Sequence, residues 1–173
     1  MNDETAAARF ERLFRANYGR VLGYARRRSS SDAEDVAAET FLIAWRRLEA
    51  VPPNELPWLL AVARRVLANQ RRRSATQERA VANVATEPAL PTEPYAGFDA
   101  PLRRALLQLD EKDRELLTLI AWDGLTASEA GQVLGVSSVG ARVRLHRARR
   151  RLEGLLNPPT TKETRWKTTG STF

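Results

Sequence analysis

Residues 126–152 read TASEAGQVLGVSSVGARVRLHRARRRL. Thr126 followed by Glu129 has the spacing of a capping box, in which the hydroxyl and the carboxylate each satisfy an otherwise orphaned backbone N–H at a helix start. A short helix from there runs to Leu134. Gly135 then permits a tight turn, and Ser137 is placed to cap a longer helix. Short helix, glycine turn and long basic helix make the helix-turn-helix pattern.

The long helix carries six arginines between Arg142 and Arg151 and no acid. At ~100° per residue, Ala141, Leu145, Ala148 and Leu152 form a narrow apolar stripe that would dock on the rest of the domain. Val139, Arg142, Val143, His146, Arg147 and Arg150 point away from it. An edge that mixes arginine with valine suits a DNA major groove, where a guanidinium can pair with guanine and a methyl group can touch thymine. Ser137 and Ser138 stand at its N-terminal end, and Arg149 to Arg151, further along, would serve phosphates. The competing explanation is a solvated basic face, but such faces usually mix signs and this one does not. His146 is expected to be a contact or spacer residue.

Working back along the chain, Pro101 opens a helix bearing Leu102, Leu106 and Leu109, and Asp110 can cap the next, EKDRELLTLIAWDG, which closes at Gly124. Before these, residues 74–100 are rich in Ala, Pro, Thr and Glu without a sustained apolar stripe, and read as a flexible linker. Residues 157–173 are polar and breaker-rich, and are expected to be a disordered tail in which Trp166 and Phe173 are chance aromatics.

A first helical block occupies residues 1–73. Ser31 followed by Glu34 predicts a helix from about Asp32 to Leu48, with Ala37, Phe41, Ala44 and Leu48 on the core side. Asp32, Asp35 and Glu39 lie opposite, joined by Leu42, Ile43 and Arg46. The acids are consistent with a solvated helix start that suits the dipole, and equally with an acidic rim around apolar residues that docks a basic partner helix. The loop VPPNEL leads to a helix from about Pro57, where proline is tolerated in the first turn. Trp58, Val62, Val66 and Leu67 give that helix an apolar side. Arg64, Arg65, Arg71, Arg72 and Arg73 are basic, and those at its end either favour the dipole or meet phosphate. Strand signals are absent, so the fold class is all-α: two small helical domains joined by a linker, the second a four-helix domain with the helix-turn-helix.

Composition bounds the function. The 173 residues are 43% hydrophobic and carry a formal net charge of +7, enough apolar content for a core and a balance that favours polyanionic partners. There is no cysteine and one histidine, which excludes disulfides, thiolate sites and cysteine nucleophiles and leaves a transition-metal site to be built almost wholly from carboxylates. No cofactor and no metal are expected. Neither a signal peptide nor a membrane span is visible, and the expectation is a cytoplasmic protein without membrane insertion.

With these residues in view, the chain resembles the extracytoplasmic-function (ECF, group IV) family of bacterial RNA polymerase sigma factors. DAEDVAAETFLIAW (32–45) resembles the family's core-binding segment, PWLLAVARRVLANQRRR (57–73) its promoter-melting helix, and residues 109–152 its C-terminal helix-turn-helix. With the helix from about Thr5 to Arg28, the likeness covers both blocks and leaves out linker and tail. It implies that 1–73 is a region 2-like domain and 101–156 a region 4-like domain. Asp32, Asp35, Glu39, Leu42 and Ile43 would meet the β′ clamp helices of core RNA polymerase. Trp58, Arg64, Arg65, Asn69, Arg71, Arg72 and Arg73 would bind and help open the −10 element. Ser137, Ser138, Val139, Arg142, Val143, His146, Arg147, Arg149 and Arg150 would read the −35 element. The polymerase β flap, promoter DNA and an anti-sigma factor are the implied partners, and catalysis would belong to the polymerase, so the chain is not an enzyme. Gly131 departs from the usual alanine, Arg65 and Asn69 from a usual Asn and Asp, and the run Val139 to Arg142 from Gly-Thr-Val-Lys.

Two other readings compete. A helix-turn-helix regulator that binds operator DNA directly explains the second block but gives the 32–48 helix no task. A nucleic-acid-processing enzyme holding Mg²⁺ on Asp32, Asp35 and Glu39 would place its cation at a helix N-terminus, where the dipole opposes it.

Overall fold

The computed structural model describes residues 5–29, 31–81, 95 and 98–157, and every regular element among them is helical. The order is α1 (Ala6–Arg26), α2 (Ala33–Arg46), a 3-10 turn (Leu48–Ala50), α3 (Glu55–Val81), α4 (Ala100–Gln108), α5 (Glu111–Ala121), α6 (Ala127–Leu134) and α7 (Ser138–Leu156). The first three helices form one bundle and the last four surround the helix-turn-helix, as the hydrophobic periodicity predicts.

Most caps follow sequence chemistry. The side chains of Thr5, Asp99, Asp110 and Ser137 accept hydrogen bonds from backbone N–H groups three residues on. Thr126 and Glu129 complete a reciprocal capping box. Gly135 ends α6 at φ 70°, a left-handed conformation that glycine adopts without the steric cost of a Cβ. At Gly131 a Cβ would lie 3.1 Å from that of Ala141 and 3.1 Å from the Val136 carbonyl, so glycine in place of the usual alanine lets α6 and α7 approach without displacing either.

Four boundaries differ from expectation. The start of α2 is not the Ser31–Glu34 box: the N-cap residue is Asp32, without a side-chain cap bond, and its carboxylate accepts from Ser29 Oγ at 2.9 Å. That helix stops at Arg46, and Leu48 is buried from the 3-10 turn instead. The third helix begins at Glu55, whose Oε2 accepts from Asn17 Nδ2; that amide also donates to the Leu13 carbonyl, so the start of α3 is tied to α1. It continues through Val81, into the segment read from sequence as linker. The remainder of that segment, apart from Tyr95 and residues 98–100, and the tail from 158 lie outside the described residues.

One core runs through both halves. Leu13, Val21, Tyr24, Val36, Phe41, Leu59 and Leu60 of the first half belong to the same buried cluster as Leu116, Leu119, Leu125, Ala130 and Val133 of the second. Each such aliphatic side chain contributes roughly 1.5–3 kcal/mol on full burial. The α3 helix lies along α6, so the two domains meet directly. A smaller cluster of Leu106, Leu109, Leu117 and Ala148 seats α7 on α4 and α5, with the Phe98 ring tilted against Trp122 at 4.5 Å between ring centroids.

Candidate nucleic-acid interface and polymerase-docking face

The amphipathic split of α7 is the one its sequence predicts. Ala141 and Ala148 are fully buried and Leu145 and Leu152 half-buried. Val139 is 64% exposed and Val143 46%, with Arg142, His146, Arg147, Arg149 and Arg150 exposed beside them. Ser137 is spent on the cap and Ser138 is half-buried. Two of the arginines pair with acids at the start of α5. Arg151 Nη1 lies 2.5 Å from Asp113 Oδ2 and 3.5 Å from Asp110 Oδ2, while Arg144 Nε lies 3.8 Å from Asp113 Oδ1. Asp113 is almost fully buried, and a buried carboxylate needs such partners. Arg151 is therefore a structural residue where its position in the arginine run suggested phosphate. The backbone bond from Asp113 holds the neighbouring Asp110 carboxyl below its ordinary range.

On α3 the expected residues fall on two stripes. Arg65, Asn69 and Arg72, spaced i, i+4, i+7, share an exposed face on which Arg72 Nη2 donates to Asn69 Oδ1 at 2.6 Å; Arg73 is exposed as well. Arg64 and Arg71, one heptad apart, lie on the neighbouring stripe and face the second half of the molecule. Arg64 Nε lies 3.1 and 3.0 Å from the two carboxylate oxygens of Glu115, and Arg71 Nη1 lies 3.3 Å from Glu111 Oε1. Trp58 is half-buried against the core. The structure thus brings Arg65, Asn69, Arg72 and Arg73 to one surface and separates Arg64, Arg71 and Trp58 from it.

The α2 face keeps Asp32 and Asp35 exposed and Glu39 half-exposed, with Leu42 47% exposed beneath them. Ile43 differs from expectation: it is half-buried and packs on the core, so it belongs to the edge of the face. The sequence reading missed its aromatic neighbours. Trp45, one helical turn beyond Leu42, is 46% exposed, and Phe14 on α1 is 38% exposed. They frame a run of rings in which Phe10 meets Trp45 at 5.1 Å and Phe14 meets Phe41 at 4.8 Å. The i, i+4 spacing of Phe10, Phe14 and Tyr18 carries that signal.

Also unforeseen are two buried acids of the second half. Glu115 accepts from Tyr24 Oη at 2.9 Å as well as from Arg64. Asp123 pairs with Arg27, and its backbone carbonyl accepts from Arg20. Burial pushes the Asp123 carboxyl above its ordinary range against the pull of Arg27, and burial likewise raises the Tyr24 hydroxyl. Among the described residues no helix is long and apolar enough to cross a membrane.

Comparison with known proteins agrees with this geometry. The Sigma-70 region 2 family matches residues 13–77 and the Sigma-70, region 4 family residues 99–152. The chain is 34% identical over 158 residues to RNA polymerase sigma factor CarQ of Myxococcus xanthus, covering 85% of this chain and 88% of that one. It is 32% identical over 131 residues to ECF RNA polymerase sigma factor SigL of Mycobacterium tuberculosis, covering 71% and 73%. Among solved structures, the sigma factor RpoE of Bartonella quintana in complex with the anti-sigma factor NepR aligns with a TM-score of 0.64 at 25% identity, covering 85% of this chain and 96% of that one. CnrH in complex with the cytosolic domain of CnrY aligns at 0.58 with 27% identity, covering 85% and 86%.

Proposed function

The chain belongs to the extracytoplasmic-function family of RNA polymerase sigma factors and directs transcription initiation, and from that premise we propose which surfaces do each part of the work. The face of α2 formed by Asp32, Asp35, Glu39 and Leu42, edged by Ile43, Phe14 and Trp45, docks on the basic β′ clamp helices of core polymerase. Carboxylates steer and orient the partner helix while the exposed Leu42 and rings supply area to bury. The exposed stripe of Arg65, Asn69, Arg72 and Arg73, together with Trp58, Arg64 and Arg71, holds the opened −10 element. The Val139, Arg142, Val143, His146 and Arg147 edge of α7 reads the −35 element in the major groove, and Arg149 and Arg150 fix its register on phosphates. The second domain also meets the β flap.

This reading places the protein in group IV of the family, in the cytoplasm, with an anti-sigma factor as regulator. One of its structural neighbours, RpoE, is a sigma factor held by an anti-sigma factor. Bond-making belongs to the polymerase; this chain supplies recognition.

The observation that carries the assignment is one chain combining an acidic, aromatic-edged docking face on α2 with an exposed arginine and valine edge on α7. An operator-binding regulator needs only the second. The test is affinity for bacterial core RNA polymerase, compared with Asp35→Ala/Glu39→Ala/Leu42→Ala. Wild type is expected to bind tightly and the triple variant at least tenfold more weakly, a loss of ~1.4 kcal/mol or more. Equal affinities would remove the docking face.

A further inference from the structure

A cavity of about 200 Å³ opens beside α3 and α5, and arginine dominates its wall. Arg27 and Arg28 follow α1 directly, Arg64 and Arg71 come from α3, and Arg114 comes from α5. Against these five stand two carboxylates, Glu111 and Glu115. All but Arg71 are half-buried, where like charges repel more strongly than in water. Part of the surplus is structural. Arg28 is fully spent: its Nε lies 3.8 Å from Glu115 Oε1, Nη1 donates to the Tyr24 carbonyl at 3.1 Å, and Nη2 donates to Thr118 Oγ1 at 3.2 Å. Arg71 is spent in the same way, Nη1 on Glu111 and Nη2 on the Arg28 carbonyl, both at 3.3 Å.

The other three arginines keep donors in hand. Arg64 gives only Nε to Glu115, and among the described residues its Nη1 and Nη2 meet no acceptor. Arg114 makes a single long bond, Nη1 to the Leu107 carbonyl at 3.4 Å, although it is half-buried. Arg27 Nε is buried with no hydrogen-bond partner among the described residues. Buried N–H groups left unpaired are uncommon and costly, yet residues from three parts of the chain that leave donors unspent line one cavity. The chemistry that complements them is an anion with several acceptor oxygens. A guanidinium fork matches phosphate oxygens two at a time. Glu115 does not oppose it with a bare charge, because its carboxylate already accepts from Tyr24 and Arg64.

We infer that this cavity is a binding site for a polyphosphate group, either the inorganic pyrophosphate anion or the phosphate tail of a nucleoside triphosphate, held by Arg64 and Arg114 with Arg27 as a third donor. Its volume lies below the ~300–1,000 Å³ of sites that enclose drug-sized molecules and is about seven times the ~30 Å³ share of a liquid water. It therefore suits a short chain of phosphates. A base would lie outside, since Arg28 covers the Tyr24 ring at 3.7 Å and Tyr95 stacks on Phe98 at 5.6 Å. RNA synthesis consumes nucleoside triphosphates and releases pyrophosphate, so both anions belong to the reaction that this family initiates. Arg64 is shared with the proposed −10 surface. Arg114 belongs to none of the proposed surfaces, and it carries the test.

The test is calorimetric titration of the full chain with sodium pyrophosphate and, in parallel, with ATP, at ~0.15 M ionic strength and without divalent cations. Wild type is expected to bind one pyrophosphate, and Arg114→Gln to weaken it about tenfold, the worth of one charge-assisted hydrogen bond. Arg47→Gln removes the same charge from an exposed arginine outside the cavity, and is expected to change the affinity less than about twofold because distant surface charges are screened. ATP binding tighter than pyrophosphate would assign the site to a nucleotide, and equal or weaker ATP binding to the free anion; both uphold a polyphosphate site. Binding of neither probe, or equal losses in the two variants, would overturn it. So would an Arg114→Gln protein that loses affinity for a single-stranded DNA oligonucleotide and keeps its affinity for pyrophosphate. A second measurement needs no substitution and so survives any misfolding of the variant. Phenylglyoxal modification of the wild type, mapped by mass spectrometry, should be slowed by pyrophosphate at Arg64 and Arg114 and not at Arg47. Equal modification with and without pyrophosphate would sink the site. Affinity for core polymerase, measured on the same preparation, reports on the function reading separately.

Discussion

Tyr24 shows how one residue ties conformation to solution conditions. Its ring is fully buried, Arg28 lies 3.7 Å from the ring centroid, and its hydroxyl donates to Glu115 across the domain boundary. Burial raises its pKa above the unfolded value of about 10. A raised pKa means the folded state favours the protonated phenol, so the stabilisation is complete below about pH 10 and is lost as pH rises beyond it. Denaturant unfolding should accordingly show a steep alkaline fall that Tyr24→Phe flattens. At neutral pH the same substitution should cost about 1–3 kcal/mol through the lost bond to a charged acceptor. An alkaline limb unchanged by Tyr24→Phe would contradict this account. Glu115 also marks where sequence reading stops. Its partners Tyr24 and Arg64 lie 91 and 51 residues away, so nothing in the run EKDRELL distinguishes it from an ordinary solvated glutamate.

At the scale of elements, sequence legibility follows locality. The split of α7 into a buried Ala141/Ala148 stripe and an exposed valine and arginine edge depends on helical period alone, and the Thr126–Glu129 box and the Gly135 turn on chemistry within a few residues. Sequence reading failed where a distant group decided. The Ser31–Glu34 box gave way to a Ser29–Asp32 bond, and the two stripes of α3 differ because Glu115 and Glu111 of α5 pair with one of them. The α7 edge supports a paired prediction for promoter binding by the reconstituted holoenzyme. On the proposed reading Arg149 contacts phosphate, so Arg149→Ala should weaken all promoters alike and reduce the salt slope by about 1. Arg142 is proposed to face base edges, so Arg142→Ala should cost about 1–3 kcal/mol at preferred promoters and relax sequence choice there. Titrations across salt concentrations and competing sequences distinguish the two; identical behaviour of both variants would remove the assignment of base and backbone roles along the helix.

At the scale of the whole molecule, a shared core and cross-domain bonds such as Tyr24–Glu115 and Arg64–Glu115 join the two halves. On the function proposed above, core polymerase binds this chain and the chain supplies a surface for each of two promoter elements. A regulator that binds operator DNA directly would supply only one. The most direct measurement reconstitutes the protein with bacterial core RNA polymerase, transcribes fragmented host genomic DNA and maps the 5′ ends of the products. The account predicts start sites absent with core alone, each preceded by two recurring elements more than two helical turns apart. Transcripts indistinguishable from those of core alone would contradict it.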